Sequence, residues 1–164
     1  MTTDYKKIRE NLQKIHKRIE LAATSCERDP ATVALLAVSK TKPAEAIRAA
    51  YEAGQSRFGE NYVQEALEKM EQLQDLDIEW HFIGPLQSNK VKQAMDLFDT
   101  IHSVDREKLA RKIATEAQAR GGCDQRQGGQ QPIPGGGGCR FRSGCGRGFG
   151  RLVDLDGRQY LEIR

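Results

Sequence analysis

The sequence has no run of about 18 consecutive apolar residues, the length that a membrane-crossing helix needs. No transmembrane helix is therefore expected. The opening stretch "MTTDYKKIRENLQKIHKRIE" carries charge where a secretory signal would have its apolar centre, so a cytoplasmic location is the expectation. Cysteine is scarce. Cys26, Cys123, Cys139 and Cys145 form no CxxC pair, and no histidine lies near the last three. That spacing speaks against a zinc site, and a disulfide framework does not suit a cytosolic chain. Charge of one sign is also in short supply. A net charge of +3 gives no strong field for nucleic acid or an acidic surface as the main partner. At 164 residues the chain suits one domain, yet it falls short of the roughly 200 residues of a complete (β/α)8 barrel.

Lysine is missing from the last third: none follows Lys112. Twelve of the 16 glycines lie between Gly121 and Gly150, and three of the four cysteines lie beyond residue 120. The chain thus divides into residues 1–120 and a Gly/Arg-rich tail, 121–164. The first part alternates helical and strand patterns. Ile8, Leu12, Ile15, Ile19 and Ala22 fall three or four apart, one face of a helix over residues 4–24. "TVALLAVS" reads as a buried strand. "PAEAIRAAYEAG" reads as a helix opened by Pro43 and stopped by Gly54. "SRFGEN" gives a short strand or turn and "YVQEALEKMEQLQ" a helix. "EWHFIG" gives a strand, and "QSNKVKQAMDLF" a helix with Ser88 or Asn89 at its cap. "DTIHSVD" reads as a strand, and "REKLARKIATEAQAR" as a helix capped by Asp105. A first helix and four β-then-α units predict an α/β fold with a parallel sheet, either half a barrel or a small doubly wound sheet.

In parallel α/β folds, ligands bind beyond the C-terminal ends of the strands. "LLAVSKTKP" puts Lys40 at such an end. An amine there can form a Schiff base with an aldehyde if burial keeps it neutral. Taken alone, a strand-end lysine is more often simply solvated. Lys42, just before Pro43, reads as an ordinary turn residue. The other strand ends offer Glu60 and Asn61, then His81 and Gly84, then His102, Ser103 and Asp105. His81, between Trp80 and Phe82, would by spacing alone be a satisfied core histidine.

The segments "LLAVSKTKP", "FGENYVQEALEK", "WHFIGPLQSNK" and "IHSVD" follow one another in register. Over about residues 5–120 they closely resemble the YggS/PROSC family of pyridoxal 5′-phosphate homeostasis proteins. The resemblance implies a single-domain (β/α)8 TIM barrel like the N-terminal domain of alanine racemase, of which this chain carries the N-terminal half. It implies that Lys40, in the "VSK" motif, holds pyridoxal 5′-phosphate as a Schiff base. It makes Asn61 and Ser103 wall residues of the cofactor pocket and puts His81 near the site. It implies a carrier and regulator of the cofactor rather than a catalyst, and a monomer in full-length members. A racemase-like enzyme is the rival activity. Catalysis by this cofactor needs a base near the substrate carbon, and no Tyr or Cys in the matched part is evidently placed as one.

The resemblance stops near Arg120. The family's later strands, its phosphate-binding loops and its ring-nitrogen arginine have no counterpart in residues 121–164. "GGGG" at 135–138 follows no strand pattern and precedes no helix pattern, so it does not read as a phosphate loop. Two accounts of the tail stand open. If codons for Gly122 to Gln131 are read one base later, they allow x-Val-Ile-Asn-Val-Lys-Val-Asp-Asn-Ser, which resembles the family's fifth strand. A frameshifted, non-functional fragment is thus one alternative. The other is a disordered RNA-binding tail using "GCRFRSGCGRGFGR", a weak compositional signal. Residues 121–150 are expected to be disordered, and "RLVDLDGRQYLEIR" to form a hairpin about Asp156-Gly157. Half a barrel leaves open sheet edges and lost opposite walls, so the expectation is a chain that is poorly stable, or one that self-associates as a dimer to cover the gap.

Overall fold

The computed structural model describes residues 2–120 and the backbone of two further strands, 152–154 and 159–160. The expected disorder of residues 121–150 lies outside the described residues. Helix α1 (Thr2–Ser25) is followed by β1 (Leu36–Val38), α2 (Ala44–Glu52), β2 (Arg57–Glu60) and α3 (Val63–Gln72). Then come β3 (Glu79–Phe82), α4 (Val91–Leu97), β4 (Thr100–Ile101) and α5 (Glu107–Ala119). The last strands are β5 (Leu152–Asp154) and β6 (Gln159–Tyr160). No described helix is long and apolar enough to cross a membrane.

The sheet order is β4-β3-β2-β1-β5-β6, and β1 to β4 are mutually parallel. Each of these strands lies beside its successor in sequence. Over β1 to β4 the order runs in one direction, the progression of a barrel's first half, and β5 then joins on the opposite side of β1. The helices form one layer. α1 packs on α2, α3 on α4 and α4 on α5, while Arg48 of α2 grips Asp75 just beyond α3 through two hydrogen bonds of 2.6 and 2.8 Å.

Strand alternation divides the side chains between two faces. Ala37, Phe58 and Trp80 share one register row, and Glu60, Phe82 and Ile101 the next. This face meets the helices. Phe82 stacks edge-on against Phe98 at the end of α4, with ring centroids 5.1 Å apart. Phe58, Phe82, Ile47, Leu109 and Val91 lie in the fully buried core between sheet and helices, each worth about 1.5–3 kcal/mol against exposure. The opposite face carries Val38, Gly59, His81 and Thr100 in one row.

Helix ends depart from expectation in instructive ways. Gly54 stops α2 as foreseen. At φ +95° it donates to Tyr51 O while Gln55 N–H reaches Ala50 O, the paired bonds of a Schellman motif. The strand expected over "TVALLAVS" is only three residues long. Asp29 accepts from Ala31 N–H and draws Pro30–Thr32 into a 3₁₀ turn. Neither Ser88 nor Asn89 caps α4, because both lie inside a second 3₁₀ turn, Ser88–Lys90. Asp105 does not cap α5 either. Arg106 holds that position, and Asp105 instead faces the Arg106 guanidinium at 3.5 Å.

β5 runs parallel to β1 along its free edge, and β6 returns antiparallel to β5 with Leu152 opposite Tyr160. The pairing agrees with the hairpin expected about Asp156-Gly157; the turn itself, residues 155–158, lies outside the described residues.

Candidate functional site at the strand ends

Lys40 opens the two-residue turn beyond the C-terminal end of β1 and is half-buried. Its predecessor Ser39 is fully buried and turns its hydroxyl to Glu60 on the helix side, at 2.6 Å. Alternation therefore assigns Lys40 to the side of Val38 and His81, away from the helices. Thr41 follows with φ +63°, in the left-handed region that a β-branched residue rarely enters.

Asn61 and Ser103 are brought together through Gly84. Ser103 donates its hydroxyl proton to the Gly84 carbonyl. Gly84 in turn lies so close to Asn61 that a Cβ on it would come within 2.7 Å of the Asn61 Cα. The turns after β2, β3 and β4 are thus locked to one another, and Asn61 and Ser103 are both half-buried there.

His81 is buried, but it is not the satisfied core histidine that spacing alone suggests. It shares the face of Val38 and Gly59 rather than that of Phe58 and Phe82. Its Nδ1 meets His102 Nε2 at 2.9 Å. Its Nε2 lies 3.3 Å from Glu79 Oε1 but makes no hydrogen bond with proper geometry. Burial and the neighbouring His102 push its pKa down to about 4.

Behind Lys40 lies a cluster that sequence reading only partly anticipates. Lys69 of α3 is 6% exposed and donates to Ser39 O at 2.8 Å, Glu60 Oε1 at 2.7 Å and Glu65 Oε1 at 2.6 Å. Burial raises the Glu60 pKa, and the hydrogen bonds from Lys69 and Ser39 oppose the shift. The overlooked signal is the pattern of α3. Lys69 falls three residues after Ala66, itself three after Val63, on the buried stripe of the helix. A lysine there needs buried acceptors. Asp105, by contrast, is exposed and takes no part in the site.

A site of this kind can hold a carbonyl compound. An amine stands at a strand end, and a buried imidazole lies on the same face, its Nδ1 against His102 and its Nε2 3.3 Å from Glu79. Those two features fit the aldehyde and a polar edge of pyridoxal phosphate. Among the described residues, no glycine-rich turn opens a helix in the manner of a phosphate loop.

The parallel run β1 to β4, with polar groups gathered at its strand C-termini, defines a barrel-type ligand-binding unit. The chain belongs to the alanine racemase N-terminal domain family, whose model matches residues 4–128. It is 54% identical over 112 residues to the pyridoxal phosphate homeostasis protein of Pseudomonas aeruginosa, covering 68% of this chain and 49% of that protein. It is 49% identical over 115 residues to the protein of the same name from Escherichia coli, with the same shares covered. The structure of PipY from Synechococcus elongatus with PLP bound is 47% identical, with a TM-score of 0.57 over 70% of this chain and 50% of PipY. A crystal structure from Bifidobacterium adolescentis is 35% identical, with a TM-score of 0.69 over 74% of this chain and 53% of that one. The chain spans about half the length of the curated relatives it matches.

Proposed function

We propose that this chain binds pyridoxal 5′-phosphate on Lys40 and acts in intracellular homeostasis of that cofactor. The observation that carries the reading is the position of Lys40, half-buried in the turn beyond β1 of a parallel sheet. Its Nζ would add to the aldehyde carbon and expel water, so that C=N replaces C=O in a reversible Schiff base. His81, on the same sheet face, would lie near the bound ring, and the locked turns bearing Asn61 and Ser103 would form its walls. Residues 1–120 are the binding unit in this reading. The names of the relatives, and a related structure holding PLP, support the cofactor. The homeostasis name of the relatives supports a carrier rather than a catalyst, and this reading places it in the cytoplasm.

The test is direct. Purified protein is mixed with pyridoxal phosphate, its visible absorption is recorded, and borohydride is added to fix the adduct. Mass spectrometry then maps the modified lysine. Label on Lys40 alone, abolished in Lys40→Ala, supports the reading. Label scattered over the other lysines, or none, overturns it and favours a fragment that keeps the signature without the function. Racemisation of an added amino acid would point instead to an enzyme.

A further inference from the structure

We infer that Glu65 and Lys69, with Glu60, form a device that fixes the backbone on both sides of Lys40 and so aims its amine; they are positioning residues. The inference rests on the reading of Lys40 as the cofactor-bearing lysine. The Ser39 carbonyl belongs to the peptide that enters Lys40, and the Thr41 N–H to the peptide that leaves it. Lys69 Nζ donates to the first at 2.8 Å. Glu65 Oε1 accepts from the second at 2.6 Å. The same Glu65 oxygen accepts from Lys69 at 2.6 Å, so the two anchors are joined through one ion pair. The third ammonium proton goes to Glu60 Oε1 at 2.7 Å, which also accepts from Ser39 Oγ at 2.6 Å. All three donors of Lys69 are thereby used.

The turn needs such an anchor. Thr41 at φ +63° is in a left-handed conformation that is unfavourable for a non-glycine, β-branched residue. Strain of that kind persists only where surrounding contacts over-determine it. Here they are the two anchors and the Lys42 N–H bond to Ser39 O at 3.0 Å. The two lysines have separate tasks. Lys69 is spent on holding the turn, and Lys40 is presented by it. A reactive group fixed in this way loses little freedom on binding, which favours it over the many surface lysines.

The experiment compares Glu65→Ala with Glu65→Gln, which keeps an acceptor oxygen for Thr41 and Lys69. Two readouts are taken from the full chain. The first is amide hydrogen exchange at Thr41 without cofactor. The second is the pyridoxal phosphate concentration that half-saturates borohydride-fixed label on Lys40. Glu65→Ala is expected to speed Thr41 exchange at least about tenfold and to raise the half-saturating concentration by a similar factor, with Glu65→Gln restoring both to within about threefold. Circular dichroism verifies that the variants are folded. If Glu65→Ala does not fold, Glu65→Asp keeps the charge, draws the oxygen back by one methylene, and is read in the same way. A folded variant with unchanged Thr41 exchange, or faster exchange with unchanged labelling of Lys40, overturns the inference. Absence of Lys40 label in the unaltered protein counts against the cofactor reading instead, while the exchange measurement still tests the anchor.

Discussion

His81 Nδ1 and His102 Nε2 stand 2.9 Å apart across neighbouring strands β3 and β4, their rings tilted by 32°. One proton serves that contact, and a second would set two N–H groups against each other. Burial is the larger penalty on the charged ring, the His102 contact adds to it, and the His81 pKa falls to about 4. Depression below the usual value near 6.5 sets the sign. The contribution is fully present above about pH 6.5 and is lost as pH falls through about 4, on the order of 3 kcal/mol. Glu60, raised by burial, acts in the opposite sense: its contribution is lost as pH rises. The difference between the unaltered protein and His81→Gln isolates the histidine. Urea midpoints at pH 7 and pH 4 should differ less in the variant; equal differences in both proteins would remove the role assigned to the pair.

Gly84→Ala tests the lock between Asn61 and Ser103. Its new methyl would press into the Asn61 backbone, which cannot move aside as a side chain can. A cost of about 1–3 kcal/mol is expected in chemical denaturation, with weaker binding of pyridoxal phosphate. Gly59→Ala is the control. There the methyl meets the flexible end of Ile83 at 3.1 Å, and the loss should be smaller. Similar losses in the two variants would show that the close approach at Gly84 has no special weight.

Much of this fold is legible in the sequence because it is periodic. The spacing of Ile8, Leu12, Ile15 and Ile19 marks α1, and Gly54 marks the end of α2 where the chain takes positive φ. All four strands are indicated in the sequence, β1 by the apolar run "TVALLAVS", although the segments overstate their length. A run records burial, whereas a strand also needs a paired neighbour, and β4 pairs over only Thr100 and Ile101. Motif resemblance singles out Lys40, Asn61, His81 and Ser103 as site candidates but says nothing of how their side chains relate. His81 and His102 are 21 residues apart, and only the β3–β4 register brings them together. Lys69 was hidden because its i,i+4 partner Glu65 makes it look like an ordinary surface pair.

The Lys69 cluster also carries stability. Lys69→Met leaves Glu60, fully buried, with its carboxylate uncompensated. Breaking a buried pair on one side costs about 3–5 kcal/mol. Lys69→Met combined with Glu60→Gln removes both charges and should recover a substantial part of that loss. A double-mutant cycle by urea denaturation measures the recovery. If the double variant is no more stable than Lys69→Met, the stranded carboxylate is not the source of the cost.

The sheet edges decide how the chain behaves in solution. β5 covers the free edge of β1 over three residue pairs, Leu36–Leu152, Ala37–Val153 and Val38–Asp154. Beyond β4, no strand among the described residues covers the other edge. Exposed edges recruit strands from other chains. Val153 lies between β1 and β6, so a proline there removes a ladder donor from a strand paired on both sides. Val153→Pro should detach β5, open the β1 edge and increase self-association. Light scattering over a concentration series should then show a larger mean mass for Val153→Pro than for the unaltered protein. Equal masses at every concentration would mean that the pairing of β5 with β1 does not protect the sheet.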